Sequence, residues 1–202
     1  MDASELSRQL LTPVSSVGKP PSVATSSFAW GQKDEVLVIL DFDDTLFPTT
    51  WVCKWAPEAH RMEAVEEERM EALRAGLNLL AGQVKTLLAV AHTIGTLIIV
   101  TNAKRGWVDY CLSTFMPELM GILHSVRVVY AREAFEASGR QVDPIPAAGE
   151  RQEKRLVAVA RKVEAMREVL TEFYQDKSWK NIISIGDSFD ELEALEEVTF
   201  FA

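Results

Sequence analysis

The sequence predicts an α/β fold, a parallel sheet covered by helices on both faces. Three observations carry that expectation. Val36-Leu37-Val38-Ile39-Leu40 and Leu97-Ile98-Ile99-Val100 are short, unbroken apolar runs, the signature of strands buried on both faces. Long amphipathic stretches lie between the strand-like segments, so strand and helix alternate. Three of the strand-like runs also end on polar residues, which puts three polar clusters on one edge of one sheet.

Taken in order, strand one is Val36–Asp41. A loop with Pro48, Trp51 and Trp55 follows. From Pro57 to His92, Met62, Val65, Leu73, Leu77, Leu80, Val84, Leu87 and Ala91 share one helical face, and Gly76 and Gly82 mark where this region bends or divides into two helices. Thr96–Thr101 is the second strand. Lys104–Phe115 reads as a helix stopped before Pro117, and Val126–Tyr130 as the third strand. Residues 138–149, with two glycines and two prolines, read as a loop. A helix over Glu150–Gln175 precedes the fourth strand, Asn181–Ile185. Phe189–Glu197 reads as a short helix and Val198–Phe200 as a fifth strand.

Residues 1–34 differ in kind. Ser, Thr, Pro, Val and Ala dominate, with too little apolar surface to offset the entropy of ordering, so a disordered tail is expected before a single domain over 35–202. The tail has neither the basic start nor the apolar centre of a signal peptide, and no stretch reaches the roughly 20 apolar residues of a membrane span. A net charge of −9 argues against a nucleic-acid backbone or an anionic membrane as partner. Cys53 and Cys111 are too far apart to suggest a disulfide framework or zinc site, which points to a reducing, cytoplasmic setting. His60, His92 and His124 have no metal-ligand spacing.

Three clusters carry chemistry. Asp41-Phe42-Asp43-Asp44-Thr45 crowds acids at the end of a buried strand, where open α/β sheets place their ligands. Such carboxylates repel and lose solvation, and a hard cation with oxygen ligands, most simply Mg²⁺, offsets them. Thr101-Asn102 ends strand two before a helix and makes a neutral anion cradle. Gly186-Asp187-Ser188-Phe189-Asp190-Glu191 returns acidic groups at the end of strand four. Metal ligands and anion donors at one sheet edge suit a metal and a phosphate together.

These clusters resemble the motifs of the haloacid dehalogenase superfamily. Asp41-Phe42-Asp43-Asp44-Thr45-Leu46 matches its DxDxT pattern, Leu97–Asn102 its second motif, and Ile182–Asp187 with the following acids its fourth. The third motif is a lone basic residue, assigned to Lys162 ahead of Lys154. The resemblance implies a Rossmann-like sheet in the order 3-2-1-4-5. It also implies a nucleophile at Asp41, an acid and base at Asp43, and Thr45 hydrogen-bonded to Asp43. Thr101, Asn102 and Lys162 would hold the phosphoryl oxygens. Asp41, the Asp43 carbonyl and Asp187 would bind Mg²⁺, supported by Glu191 or Asp190, with Glu191 the better fit to the family spacing.

An acid at Asp43 points to a phosphatase or phosphotransferase rather than a dehalogenase, since a halide leaving group needs no proton. The stretches Leu46–Val100 and Asn102–Lys162 are too short for an inserted cap domain, so the site should be open to a phosphorylated small molecule or phosphoprotein. Trp51 and Trp55 either cover a substrate or pack the loop, and Lys104 and Arg105 either meet substrate charge or stay solvated. The competing expectations are a silent binding or regulatory protein of the same fold and a receiver-like domain; the DxDxT on strand one disfavours the latter. Nothing in the sequence bears on oligomeric state.

Overall fold

In the computed structural model the described residues are 33–55, 67–141, 149–175 and 181–200. Four strands form one sheet: β1 (Val36–Leu40), β2 (Thr96–Thr101), β3 (Arg127–Tyr130) and β4 (Asn181–Ile185). Their spatial order is β3-β2-β1-β4, and every pairing is parallel. The helices are α1 (Thr49–Trp55), α2 (Glu67–Ile94), α3 (Trp107–Phe115), α4 (Met120–Leu123), α5 (Ala131–Ser138), α6 (Glu150–Tyr174) and α7 (Phe189–Phe200), with 3₁₀ turns at Lys33–Glu35 and Pro117–Leu119.

All five residues of β1 are buried because both sheet faces are covered. Side chains alternate between faces along a strand. Val36, Val38, Leu40, Leu97 and Ile99 pack with Leu73, Leu77, Val84 and Leu88 of α2 and Cys111 and Leu112 of α3. Leu37, Ile39, Ile98, Val100 and Val129 pack with Ala134 of α5, Val163, Met166 and Val169 of α6, and Ala194 and Val198 of α7. The result is three layers. Each fully buried Leu, Ile or Phe contributes about 1.5–3 kcal/mol relative to exposure, so the paired clusters outweigh any single polar contact. Cys53 on α1 is exposed, and Cys111 is buried; both are free thiols.

Thr49–Trp55, expected as part of a loop, is the helix α1, and three further expectations change. Val198–Phe200 is not a strand but the last turn of α7. Val-Thr-Phe favours strands, yet Glu191, Ala194 and Val198 are the buried residues at helical spacing, and packing of that face prevails. The order 3-2-1-4-5 therefore reduces to 3-2-1-4 among the described residues, with β4 at the edge and Ile183 and Ile185 each 38% exposed. Gly76 and Gly82 do not divide α2, which is continuous over 28 residues. Each glycine costs about 1 kcal/mol relative to alanine, and the buried face from Leu73 to Ala91 exceeds that.

The turn from α2 into β2 needs a glycine for space. A Cβ on Gly95 would stand 2.4 Å from the Val36 carbonyl oxygen. α5 has no counterpart in the sequence expectations, although Ala131-Arg132-Glu133-Ala134 is rich in helix formers. The tail lies outside the described residues up to position 32, as do Met62, Val65 and most of the 138–149 loop; Lys33 and Asp34, placed in the tail, form the 3₁₀ turn into β1. Among the described residues no helix is long and apolar enough to cross a membrane.

Candidate active site

The carboxyl ends of β1, β2 and β4 meet, and the predicted clusters meet with them. The Asp41 N–H donates to the Ile185 carbonyl at 2.9 Å, which extends the β1–β4 ladder by one bond and fixes where the first carboxylate leaves the sheet. Phe42, Leu46 and Phe47 anchor the following turn from below, with the Phe42 and Phe47 rings stacked 5.8 Å apart. The Asp44 and Leu46 N–H groups close that turn onto the Phe47 and Phe42 carbonyls. Asp44 sits at φ 56°, a conformation aspartate tolerates. Its carboxylate accepts from the Thr50 N–H and hydroxyl, which ties the turn to α1. Apolar residues below and polar ties above hold the acids on a stiff platform.

Asp41 is 5% exposed, and its Oδ1 accepts from Lys162 Nζ at 2.8 Å. Lys162, on α6, also donates to Glu191 Oε1. Glu191 Oε2 accepts from the Ser188 hydroxyl at 2.7 Å and the Ser188 N–H at 3.2 Å. A Cβ on Gly186 would stand 2.3 Å from Glu191 Cγ, so Gly186 is required because the Glu191 side chain lies against it. Burial pushes the Asp41 carboxyl up to about 6, with the Lys162 charge pulling against it. Burial also disfavours the Lys162 ammonium, but Asp41 and Glu191 together hold it above its ordinary value. For Glu191, burial is outweighed by the Lys162 and Ser188 bonds, and its carboxyl falls below the usual range.

Asp187 completes the cluster. One carboxylate oxygen each from Asp41, Asp187 and Glu191 lies within 4.8 Å of the others. Asp187 is exposed, yet partial desolvation, then the Glu191 charge, raises its carboxyl above the usual range. Three carboxylates against one ammonium leave two formal negative charges. A hard divalent cation matches both that charge and the all-oxygen donor set, so the residues fit Mg²⁺.

The structure separates the paired candidates by position. Glu191 lies in the cluster, whereas Asp190 turns to α6 and accepts from Arg155 at 3.0 Å. Lys162 is in the cluster, whereas Lys154 is exposed and paired with Glu150 one turn away.

Asp43 is held, but not by Thr45. Its Oδ1 accepts from Trp107 Nε1 at 2.8 Å and from the Thr49 hydroxyl, and its Oδ2 from the Thr101 hydroxyl at 3.2 Å. The Thr45 hydroxyl is buried without a hydrogen-bond partner among the described residues, so the predicted Thr45–Asp43 bond is absent. The turn at Asp44 carries the chain around so that α1, not the turn itself, faces Asp43. Gly106, at φ 86°, starts α3 and places Trp107 in its first turn. The sequence contains Thr49 and Trp107, but no spacing signal ties residues 6 and 64 positions away to Asp43.

Thr101 is fully buried and accepts from the Ala103 N–H at 3.0 Å while donating to Asp43. The Asn102 amide donates to the Ala158 carbonyl on α6 at 3.2 Å, so that side chain joins β2 to α6 rather than standing free as an anion donor. An open cavity of about 450 Å³ lies beside Asp43, lined by Thr49, Asn102, Ala103, Lys104 and Trp107. Arg105 is engaged by Glu133 and lies over the Tyr130 ring. Trp51 is 36% exposed and borders Gly76 of α2; the Trp55 side chain lies outside the described residues. Comparison with protein-family models, curated proteins and solved structures gives no match for this chain.

Proposed function

We propose that the chain is a Mg²⁺-dependent phosphoester hydrolase that works through an aspartyl-phosphate on Asp41. The observation that carries this reading is the buried Asp41–Lys162–Glu191 network with Asp187 beside it, at the same sheet edge as Asp43 and Thr101. It also keeps the resemblance to the haloacid dehalogenase superfamily as part of the proposal.

Of the two Asp41 oxygens Lys162 binds Oδ1, which leaves Oδ2 as the nucleophilic oxygen. The lysine keeps that carboxylate ionised against the effect of burial. Attack by Oδ2 forms the phosphorus–oxygen bond as the bond to the leaving alcohol breaks, and Asp43 passes a proton to the departing oxygen. Water then attacks phosphorus, Asp43 takes a proton from it, and Asp41 leaves as the carboxylate with inorganic phosphate as product. Mg²⁺ held by Asp41, Asp187 and Glu191 would supply charge neutralisation on the phosphoryl group. Thr49 and Trp107 hold Asp43 in place through both steps, and the Thr101 hydroxyl exchanges Asp43 for a phosphoryl oxygen.

The test is hydrolysis of p-nitrophenyl phosphate with and without Mg²⁺. Expected is metal-dependent turnover, lost in Asp41→Asn at unchanged far-UV dichroism. Turnover that survives Asp41→Asn would remove the nucleophile assignment, and hydrolysis insensitive to chelation would remove the metal.

A further inference from the structure

Two arginines meet at the end of β3, away from the Asp41 cluster. Arg132 is the second residue of α5, directly after β3, and Arg161 on α6 precedes Lys162; α5 packs against α6. Both arginines are half-buried, and the Nε of each is sealed from water without a hydrogen-bond partner. Among the described residues Arg105, Arg127, Arg140, Arg155 and Arg167 pair with carboxylates, whereas Arg132 and Arg161 form no ion pair. Burial, then the neighbouring Arg132 charge, holds the Arg161 guanidinium below its ordinary range; Glu136 offsets this in part without forming an ion pair. Buried donors are ordinarily matched, and guanidinium groups match carboxylate and phosphate best. Two adjacent guanidinium groups, each with an unmatched buried Nε, are therefore suited to an anion that arrives from outside the chain.

We propose that Arg132 and Arg161 form a subsite for a second anionic group, phosphate or carboxylate, on the substrate. The inference rests on the hydrolase reading for its orientation. With the sheet order β3-β2-β1-β4, the phosphoryl group lies at the end of β1 and the subsite at the end of β3. Two strand spacings separate them, roughly 10 Å. The substrate class is then an extended phosphomonoester with a second charge at its far end, not a compact one with both charges on neighbouring atoms.

Hexane-1,6-diol bisphosphate and hexyl phosphate are the paired probes. Wild type should prefer the bisphosphate by about tenfold in kcat/KM, and Arg132→Met with Arg161→Met should bring that ratio close to one. Calorimetry in an Asp41→Asn background should show the same arginine-dependent difference in affinity without turnover. Without ligand, Arg161→Met should melt no lower than wild type, because it removes a like-charge neighbour; a marked fall would make the arginine structural and overturn the subsite. A ratio near one in wild type, or one that survives both substitutions, also overturns it. If nothing is hydrolysed but arginine-dependent binding persists, the subsite stands and the hydrolase reading falls. If both probes are hydrolysed alike, the reverse holds. A peptide with two phosphoserines, compared with its singly phosphorylated form, distinguishes a protein source of the same chemistry: a larger arginine-dependent preference there supports the subsite and assigns it to phosphoproteins.

Discussion

Helix α6 is tied to α7 twice, and the two ties behave differently. Near its amino end Arg155 reaches Asp190 and Glu193; two turns on, Lys162 reaches Glu191 and, across the sheet edge, Asp41. The partners Asp190 and Glu191 are neighbours in the chain. Arg155 is 46% exposed and Lys162 4%, and that contrast decides what each tie is worth. Water and salt screen the first, so it contributes little. The second has lost its solvation, so each of its charges depends on the others.

Removing the buried cation should have the largest effect. Lys162→Met leaves Asp41 and Glu191 buried beside Asp187 with no counter-charge, and breaking such a network costs about 3–5 kcal/mol. Urea denaturation should show that loss in the absence of divalent cation and partial recovery as Mg²⁺ is added. An unchanged midpoint without Mg²⁺ would mean that burial does not set the strength of this tie.

Next in size is Gly186→Ala. The added methyl must displace Glu191, at about 1–3 kcal/mol for overpacking. Mg²⁺ affinity, read by calorimetry, should fall along with stability. Destabilisation with unaltered Mg²⁺ affinity would detach Glu191 from the metal cluster.

Comparable in size is the difference between two threonines near Asp43. Thr49→Val removes a donor to a carboxylate and should cost about 1.5–3 kcal/mol. Thr45→Val removes a hydroxyl that bonds nothing and should be neutral or slightly stabilising. Thermal melts of the two variants compare them directly, and a greater loss at Thr45 would restore the bond that the sequence suggested. The smallest effect belongs to Arg155→Ala, for which no resolvable shift in melting temperature is expected at moderate salt.

Much of the sheet was legible because β1 and β2 are short runs of residues buried on both faces, a pattern that surface helices cannot produce. The convergence of Asp41, Asp43, Thr101, Asp187 and Glu191 was legible for a related reason: each ends a strand or follows a strand end by six residues or fewer. The supports of Asp43 were not legible. Thr49 and Trp107 reach it only because the Asp44 turn folds α1 back and Gly106 starts α3 at a particular angle. The Arg132–Arg161 pair was equally hidden, since α5 was not anticipated and its packing on α6 is a tertiary fact. Val198–Phe200 failed in the opposite direction, where local strand preference gave way to a helical face already fixed by Ala194 and Val198.

The contrast between the two cysteines has a practical consequence. Burial raises the Cys111 thiol far above its ordinary value, so it is unreactive in the folded protein, while Cys53 stands exposed on α1. Maleimide chemistry on the native chain would therefore place one label at Cys53, on the helix whose first residue holds Asp43. A fluorophore there reports movement of α1 as a substrate enters the neighbouring cavity. The later appearance of a second modified thiol, followed by mass, times the opening of the core beneath α3.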